Sequence, residues 1–441
     1  MFALQKQQER QLLFAMSHAQ NPSKVVEPGR EIPVFQETDV LVCGGGPAGI
    51  GAALAAANAG ARVTLLEVNG CLGGIWTAGL LTYVLDPKND SPVTMVILEE
   101  MKTLGSAVTG TARKFLWAEH SFVFSPEPMK LALERLCRRA GIHIQLHTRV
   151  CAALLDDSAN TISAVLTESK SGRQAWKAKV YIDATGDGDL AAQAGCDYAF
   201  GRPGTQESQP MSLLCLLATP QPDGLTPFCM GGGASFIQEL ATRGIKTSYG
   251  SPLLLPVRDG IFAIMMNHHY GSGLDAADIT QATMDARAEI YEMVAKLAAQ
   301  GGVWEGLQLV ATAEQIGVRE GRRIKGLYTV TADDVHEGKR HEDGICRVSF
   351  PIDVHSTSKK TGLAFDHENK LVSQPFDIPL RALISADREN LLMAGRCISG
   401  DFLAHSSYRV TGDAVVTGEA AGALAARAIA SARSPRACCG A

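Results

Sequence analysis

Residues 38–49 read Thr-Asp-Val-Leu-Val-Cys-Gly-Gly-Gly-Pro-Ala-Gly, an apolar run that passes directly into a glycine-rich turn. The apolar residues Val40 to Val42 predict a β-strand, and the small residues from Ala48 to Ala59 predict a helix that begins at the turn. A second apolar run, residues 62–66, predicts another strand after the helix. Strand, helix and strand in this order form a βαβ unit.

The turn has the spacing Gly44-x-Gly46-x-x-Gly49. Gly44 would permit the tight turn, Gly46 would let the backbone approach a pyrophosphate, and Gly49 would let helix and strand pack closely. The helix N-terminus would face the phosphates, and Glu67 at the end of the second strand would accept hydrogen bonds from both ribose hydroxyls. The motif predicts a dinucleotide, FAD or NAD, contacted by Gly44, Gly46, Pro47, Ala48, Gly49 and Glu67.

The composition narrows the class of protein. The chain has 441 residues, 46% hydrophobic and 20% charged, which is typical of a globular protein with two or three domains of about 150 residues each. A formal net charge of -5 argues against nucleic acid binding, because no basic surface can follow a phosphate backbone. Eleven cysteines without a Cys-x-x-Cys pair fit neither a disulfide scaffold nor a metal site, so we expect a cytoplasmic protein without a metal. Residues 1–20 lack the apolar core of a secretory signal, and no run reaches the about 18 apolar residues of a membrane span.

Changes in sequence texture predict five segments along the chain. A polar stretch precedes the first strand. Two parts of similar sequence pattern follow, and they are separated by a stretch that contains prolines, a glycine cluster and a long helix at 278–300. The second of these parts contains an apolar strand at 390–394 and a helix rich in Ala and Gly at 413–431. The segments are an N-terminal arm (1–33), a first nucleotide-binding part (34–200), a substrate or cap domain (201–384), a second nucleotide-binding part (385–433) and a flexible tail (434–441).

Residues 126–183 predict one helix and several strands. Pro126 lies near the first turn of a helix that extends to Ala140, and short apolar runs separated by turn-forming residues follow it. We expect three or four antiparallel strands, at residues 142–147, 149–154, 162–167 and 174–183.

Three further segments carry a family resemblance. Gly70 to Thr77 reads GCLGGIWT and resembles the glycine loop beside the FAD ribose and pyrophosphate in glutathione-reductase-like flavoproteins. Val180 to Asp189 reads VYIDATGDGD and resembles the strand that these proteins end with Ala-Thr-Gly near the cofactor. Residues 394–422 read AGRCISGDFLAHSSYRVTGDAVVTGEAAG and resemble the C-terminal segment that closes over the flavin in a large family of FAD-dependent oxidoreductases.

The resemblance implies FAD as the cofactor and an α/β fold of two domains. A discontinuous Rossmann-like FAD-binding domain, with a central parallel sheet plus a β-meander, would carry an inserted α+β substrate domain. For Arg396 a structural ion pair is an alternative to cofactor binding. The residues that the resemblance adds to the cofactor site are Gly73, Gly74, Val150, Thr185, Gly186, Arg396, Asp401, Arg409, Gly412 and Asp413.

The predicted C-terminal helix would lie beside the flavin ring. Backbone N–H groups at its start, near Gly412 and Asp413, would stabilise negative charge at the N1/C2=O end of a reduced flavin. The small residues Gly418 and Gly422 would let the helix lie against the cofactor, or would serve helix packing instead. Cys71 lies in a loop expected nearer the ribose than the ring, which favours an ordinary buried thiol over a covalent flavin link.

Flavin chemistry on an alcohol or amine needs a base for the heteroatom proton. The resemblance points to His355, and His405 is a second candidate; for each the alternative is a histidine without a catalytic role. Arg319 would bind a substrate carboxylate or oxyanion, or would pair with Glu320.

Two other features were weighed for the site. His268 and His269 follow an apolar strand, and at most one of them can face a pocket because adjacent strand residues point to opposite faces. Residues 271–276, Gly-Ser-Gly-Leu-Asp-Ala, match a second dinucleotide fingerprint only nominally, because no acidic residue follows about 20 residues later. We interpret them as a turn before the long helix.

The sequence therefore predicts an FAD-dependent dehydrogenase or oxidase. It would transfer a hydride between a small polar substrate (CH–OH or CH–N) and flavin N5, and the electron acceptor stays open: oxygen, a quinone, nicotinamide or a protein. One alternative is flavin-dependent reduction of an activated C=C bond, in which Arg319 would donate a proton or clamp a carboxylate. A NAD-dependent dehydrogenase and a non-catalytic dinucleotide-binding protein are alternatives from other classes.

Overall fold

Strand β1 (Val34–Cys43) lies inside a seven-stranded sheet, and its last six residues are buried. The computed structural model describes residues 25–87, 91–106, 122–229, 233–357 and 371–439. Most of the predicted N-terminal arm lies outside these ranges, and residues 25–33 contain no helix or strand. The other strands of this sheet are β2 (Val63–Leu66), β3 (His143–Gln145), β4 (Arg149–Leu155), β5 (Ile162–Ser169), β6 (Gly172–Asp183) and, last in the chain, β15 (Leu391–Met393).

The strand order is β3-β2-β1-β6-β5-β4, with β15 also paired to β6. The strands β3, β2, β1, β6 and β15 are parallel to their neighbours in this series, so their carboxyl ends meet at one edge. Cys43 at the end of β1 is in register with Leu66 of β2 and with Asp183 of β6. This register brings the residues that follow these three strands to the same edge of the sheet.

The predicted meander is part of the same sheet. Strands β4, β5 and β6 are antiparallel, and β6 is long enough to pair with β5 in its first half and with β15 in its second. Three of the four predicted runs are thus antiparallel, within the expected three or four, whereas the run at 142–147 contains β3, which pairs parallel with β2. A helix precedes β3, and a helix that packs on the sheet between two strands returns the chain to pair in parallel.

A four-stranded antiparallel sheet has the order β11-β8-β10-β9. Its strands are β8 (Cys215–Ala218), β9 (Leu253–Arg258), β10 (Ile261–Met265) and β11 (Gln308–Thr312), and it has a core of its own. The long helix spans Ala276–Ala299, where Asp275 caps its start by accepting hydrogen bonds from the backbone N–H groups of Ala277 and Asp278. Residues 271–275 therefore form a turn before the helix, and Ala276 is the first residue of the helix.

The remaining elements complete the described chain. Among the described residues, no helix combines the length and apolar character needed to cross a membrane. The other strands are β7 (Tyr198–Ala199), β12 (Arg323–Ile324), β13 (Gly344–Val348) and β14 (Phe376–Pro379). The α-helices are α1 (Pro47–Asn58), α2 (Pro92–Thr103), α3 (Pro126–Arg139), α4 (Asp189–Gln193), α5 (Pro222–Leu225), α6 (Gly233–Thr242), α7 (Ala276–Ala299), α8 (Ala332–Glu337), α9 (Phe402–Tyr408), α10 (Thr411–Ser431) and α11 (Pro435–Cys438).

The segment from Ser434 differs from the flexible tail that we expected. Residues Pro435–Cys438 form the short helix α11, whose start is capped by the Ser434 side chain. Cys438 is buried because it packs into the main core, and its backbone carbonyl accepts a hydrogen bond from Arg427 at 2.9 Å.

Helices α1 and α10 pack closely along glycine faces. A Cβ at Gly51 would overlap the Val415 carbonyl oxygen, and Cβ atoms at Gly418 and Gly422 would overlap the carbonyl oxygens of Ala48 and Ala52. Gly418 and Gly422 therefore serve helix packing, the second of the two roles considered for them. This packing fixes the position of α1, whose N-terminus is the glycine turn.

Replacing Gly418 with alanine is expected to lower the free energy of unfolding by about 1–3 kcal/mol, because the added methyl group forces α1 and α10 apart. Urea unfolding measures the change. Ala423→Gln, on the exposed face of the same helix, is the control and should change stability by less than about 0.5 kcal/mol. Equal stability of Gly418→Ala and wild type would contradict the close packing.

Candidate active site

A cavity of about 500 Å³ opens at the carboxyl edge of the seven-stranded sheet. Open parallel sheets bind ligands at this edge. Gly44 and Gly46 line one region of the cavity, while Arg319, Asp353 and His355 line another. One continuous cavity thus joins the predicted dinucleotide-binding turn to two of the three predicted catalytic residues.

The glycine turn has the geometry that its spacing predicts. Gly44 has φ +107°, and a Cβ there would overlap the Ala184 carbonyl group. A Cβ at Gly49 would overlap the Gly44 carbonyl oxygen, so Gly49 serves the packing of helix against strand and does not line the cavity. Gly46 is different, because a Cβ there would meet nothing closer than the Gly74 Cα at 4.0 Å. Its backbone therefore borders open space that a ligand can enter.

Glu67 lines the cavity directly after β2, and only 4% of its surface is exposed. Its carboxylate accepts hydrogen bonds from the Gly45 N–H at 2.6 Å and from the backbone and side-chain nitrogens of Asn69, both at 2.8 Å. Burial raises the pKa of the Glu67 carboxyl group, and these hydrogen bonds offset part of that rise. The Val68 backbone also lowers this pKa by hydrogen bonding, so the carboxylate is held firmly at the cavity wall.

The loop after β6 forms another wall of the cavity. Buried Asp183 accepts hydrogen bonds from the Thr185 N–H at 3.1 Å, the Thr185 hydroxyl at 2.7 Å and the Ala191 N–H at 2.8 Å, while burial raises its pKa to about 6. Thr185 and Gly186 line the cavity as a result. Arg396 lines it too, but its guanidinium pairs with Asp187 at 2.7 Å, which is the structural alternative considered for it.

Several predicted cofactor residues do not line the cavity. Asp401 instead caps α9 through the Ala404 N–H at 2.8 Å and accepts the Ala332 N–H at 2.6 Å. The Gly412 N–H donates to the Leu85 carbonyl at 2.7 Å, so residues 85 and 86 cover the start of α10. Lining residues near this helix start are Val410, Thr411 and Ala414.

Gly73 and Asp413 are also displaced from the cavity. The Gly73 N–H donates to the Gly45 carbonyl at 2.8 Å, so Gly73 stabilises the glycine turn without lining the cavity itself. Asp413 is fully buried and accepts a contact from the Cys346 thiol at 3.4 Å. Cys71 is a buried thiol that contacts the Thr77 hydroxyl at 3.6 Å and does not line the cavity.

A chain of three hydrogen-bonded side chains ends at the other region of the cavity, which Asp353 and His355 line and His268 does not. His355 Nε2 lies 3.2 Å from an Asp353 carboxylate oxygen, and His355 Nδ1 lies 3.1 Å from His268 Nε2. The His355 backbone N–H donates to the Gln209 side-chain carbonyl at 2.9 Å. Tyr249 stacks on His268 with ring centroids 4.1 Å apart. His355 is thus held from both ring nitrogens and from its backbone.

Burial and nearby cations set the charges in this chain. Burial is the main cause that lowers the pKa of His355, to about 4, and the positive charge of Arg319 lowers it further while Asp353 opposes the shift. Burial alone would raise the pKa of Asp353, but His355, Arg409 and Arg319 lower it to about 2. Burial also holds the pKa of His268 well below its usual range. At neutral pH the chain therefore consists of an ionised carboxylate and two neutral imidazoles.

Arg409, a predicted cofactor residue, belongs to this region of the cavity. Its guanidinium donates to the backbone carbonyls of Asp353 at 2.7 Å and Arg319 at 3.1 Å, and lies 3.6 Å from the Asp353 carboxylate. Burial lowers its pKa to about 10, so it stays charged. Arg409 therefore fixes the segment that carries Asp353.

His405 does not fit the acid/base role considered for it. It is fully buried and does not line the cavity. Burial, followed by the positive charges of Arg323 and Arg409, holds its pKa well below its usual range. His405 is therefore a neutral core residue in this structure, set edge-to-face against Tyr408.

Comparison with known proteins places the chain in a family. A family model described as FAD dependent oxidoreductase matches residues 39–438. The chain belongs to this family. Its cofactor is FAD, and it is an oxidoreductase rather than one of the NAD-dependent or non-catalytic alternatives.

Individual relatives of this FAD-dependent oxidoreductase are distant. A thiamine thiazole synthase of Aeropyrum pernix is 42% identical over 72 residues, which cover 16% of this chain and only 26% of that protein. The structure of a myxobacterial chondrochloren halogenase is similar at 14% identity, with 91% of this chain and 77% of that chain covered and a TM-score of 0.49. A flavoprotein/dehydrogenase from Cytophaga hutchinsonii also has 14% identity and a TM-score of 0.49, with 90% and 80% covered.

The cavity fits FAD. The open backbone at Gly46, the N-terminus of α1 and the buried Glu67 carboxylate suit a pyrophosphate and a ribose. Other residues predicted to contact FAD are placed along the same cavity. Those that line it are Gly44, Gly46, Pro47, Ala48, Glu67, Gly74, Val150, Thr185, Gly186, Arg396 and Arg409.

Sequence reasoning missed four residues that shape the site. Asn69 orients Glu67, and its only sequence signal is its position two residues after the strand end. Gln209 and Tyr249 lie in the segment predicted as the substrate domain, where no motif singles them out. Asp353 lies two residues before His355, and this spacing is its only signal in the sequence. His268 contacts His355 and His269 pairs with Glu289 at 3.1 Å, and neither lines the cavity, which agrees with the expectation that at most one of them would.

Replacing Glu67 with glutamine is expected to weaken FAD binding by about 10- to 100-fold, because an amide NH₂ would face one of the N–H donors that the carboxylate now accepts. Fluorescence titration of the apoprotein with FAD measures the dissociation constant. Glu314→Gln, at an exposed carboxylate, is the matched control. Equal affinity of both variants would contradict the role of Glu67.

Proposed function

We propose that this FAD-dependent oxidoreductase is a dehydrogenase or oxidase that acts on a CH–OH or CH–N carbon of a small polar substrate. The observation that carries the proposal is the Asp353–His355 pair, which lies in the same cavity as the dinucleotide-binding turn. When bound, FAD supplies the hydride acceptor at N5. The side chains of the protein then need only to orient the substrate and take up the heteroatom proton.

The Asp353–His355 pair is suited to that proton. Because Asp353 is ionised, the neutral His355 carries its proton on Nε2, facing the carboxylate, and Nδ1 accepts a hydrogen bond from His268 Nε2–H. His355 Nδ1 can accept one proton from a substrate O–H or N–H when the His268 Nε2–H bond to that atom is released, and the resulting imidazolium is balanced by the Asp353 carboxylate at 3.2 Å. The acid/base unit is therefore the pair, held in position by His268 and Gln209.

The finer architecture belongs to the same proposal. Residues 34–200 and 385–433 contribute the strands of the seven-stranded sheet, and residues 201–384 contribute the four-stranded sheet. This division supports the proposed FAD-binding and substrate domains of the glutathione-reductase-like type. All eleven cysteines are free thiols, which supports a reducing, cytoplasmic location.

Anaerobic mixing with candidate alcohols and amines tests the proposal. We expect at least one of them to bleach the flavin absorbance of the purified holoenzyme, and the electron acceptor is then found by adding oxygen, a quinone or nicotinamide to the reduced enzyme. The second candidate, reduction of an activated C=C bond, is favoured by the cationic Arg319 in the cavity. If prereduced enzyme is reoxidised by an unsaturated carboxylate while no alcohol or amine bleaches the flavin, the second candidate replaces the first.

A further inference from the structure

The guanidinium of Arg319 is a half-buried cation in the same region of the cavity as Asp353. Its Nη1 donates to the Pro210 carbonyl at 2.7 Å and to the Ser212 hydroxyl at 2.8 Å. Its Nη2 contacts the Met265 sulfur at 3.4 Å. A thioether is a weak acceptor, so this edge of the guanidinium is poorly satisfied by the protein.

No carboxylate among the described residues forms an ion pair with Arg319. Glu320, the partner considered for it from the sequence, pairs with Arg323 at 2.5 Å. Asp353 pairs with His355 at 3.2 Å and with Arg409 at 3.6 Å. Burial lowers the pKa of Arg319, but a guanidinium still remains charged near neutral pH. A partly buried cation without a counter-ion loses hydration that nothing replaces, which favours an anion in the cavity beside it.

The charges that face Arg319 leave one positive charge uncompensated. Arg319 and Arg409 are cationic, Asp353 is anionic and His355 is neutral. The neighbouring Tyr249 and the more distant Tyr270 are neutral phenols, since burial raises the pKa of both. A ligand with a single negative charge would neutralise this group.

The walls beside Arg319 are apolar. Leu253 and Leu255 lie two residues apart on β9 and both line the cavity. Leu253 is in register with Met265, the residue whose sulfur contacts the Arg319 guanidinium. A second charged group on the ligand would lie against these side chains without a partner, whereas an apolar group would be stabilised by them.

We propose that the substrate is a monocarboxylate with an apolar side chain, whose carboxylate pairs with the free edge of Arg319. Resting on the proposed function, this makes the substrate a 2-hydroxy or 2-amino acid: the carboxylate binds Arg319, and the heteroatom proton at the neighbouring carbon faces the Asp353–His355 pair. The planar fork of the guanidinium suits a carboxylate bidentately.

Binding of non-reacting analogues to the holoenzyme tests the inference. The probes are butanoate, 4-methylpentanoate and benzoate, their amides, and the dicarboxylate succinate, and the readout is the perturbation of the flavin absorbance spectrum. We expect the best carboxylate to bind about 10- to 100-fold tighter than its amide, and tighter than succinate. Arg319→Met should abolish this preference, Arg319→Lys should retain part of it, and Arg287→Met, at an exposed arginine on α7, should leave it unchanged.

Three results would overturn the inference. These are equal binding of a carboxylate and its amide, tighter binding of succinate, or an unchanged preference in Arg319→Met. A changed flavin reduction potential in Arg319→Met with an unchanged preference would assign Arg319 to the flavin instead. If Arg319→Met does not fold, the wild-type ratio and Arg319→Lys decide. Bleaching by a neutral alcohol without carboxylate binding supports the proposed function and overturns this inference, whereas carboxylate binding without any bleaching supports the monocarboxylate site at Arg319 and overturns the proposed function.

Discussion

A Gly46→Val variant is expected to fold as the wild type does and to be purified almost without FAD. A Cβ at Gly46 meets no protein atom closer than 4.0 Å, so the larger side chain is accommodated by the protein itself. It would, however, occupy the open space where the backbone of the turn borders the cavity and where a pyrophosphate must approach. We expect the dissociation constant for FAD to rise on the order of 100-fold or more, with loss of activity.

The ratio of flavin absorbance to protein and a fluorescence titration with FAD measure this effect. Thermal unfolding of the apoproteins shows whether the fold is retained. Gly233→Val, at the open start of α6, is the matched control, because a Cβ there also meets no protein atom within 4 Å. FAD retention by Gly46→Val equal to that of the control would show that the turn does not hold the cofactor.

Replacing His355 with glutamine is expected to slow reduction of the bound flavin by an alcohol or amine about 10²- to 10⁴-fold, the usual contribution of a general base, while FAD stays bound. Anaerobic stopped-flow absorbance measures the rate constant. In the wild type the rate constant should fall as pH decreases through about 4, because protonated His355 can no longer accept the substrate proton. Above that pH it should be flat until other groups titrate.

Asp353→Asn separates the pair from the isolated histidine. Asp353 raises the pKa of His355 against the effect of burial, so its removal should shift the inflection to lower pH and reduce the plateau rate constant. His269→Gln, at a histidine paired with Glu289 outside the cavity, is the control and should change neither. An inflection that stays in place in Asp353→Asn, or a His355→Gln variant with the rate constant of the control, would remove the pair from the mechanism.

The nucleotide-binding half was predictable because its signals are local. The predicted strand, helix and strand around Gly44 correspond to β1, α1 and β2, and the helix predicted at 413–431 corresponds to α10. A glycine is required where the backbone has a positive φ or where two backbone segments cross closely. Both conditions depend on residues near it in sequence, so the spacing of the glycines predicts the turn. The pairing of β3 was not predictable in this way, since parallel or antiparallel pairing depends on which strand lies beside it.

The contacts of residues near the start of α10 could not be predicted from the neighbouring sequence. Gly412 has the sequence context of a cofactor contact, yet residues 85 and 86 lie against it and leave Thr411 to line the cavity. Asp401 has the context of a cofactor ligand and is used instead as a helix cap. The cap contact of Asp401 to Ala404 is local, but its second contact, to the Ala332 N–H, and the cover of Gly412 by Asp86 come from segments more than 65 residues away in sequence that only the folded chain brings close.

The sequence by itself determined that this chain forms a dinucleotide-binding βαβ unit, and the resemblance of its later segments identified the dinucleotide as FAD, which the family match confirms. Only the tertiary structure decided which polar side chains share the cavity. It placed Arg319, Asp353 and His355 along the cavity and His268 against His355 outside the lining, separated His405 from them, and left Arg319 without a carboxylate partner among the described residues. The physical reason is that a glycine turn is specified by its own backbone geometry, whereas the charge, burial and partners of a side chain are set by distant segments that pack around it.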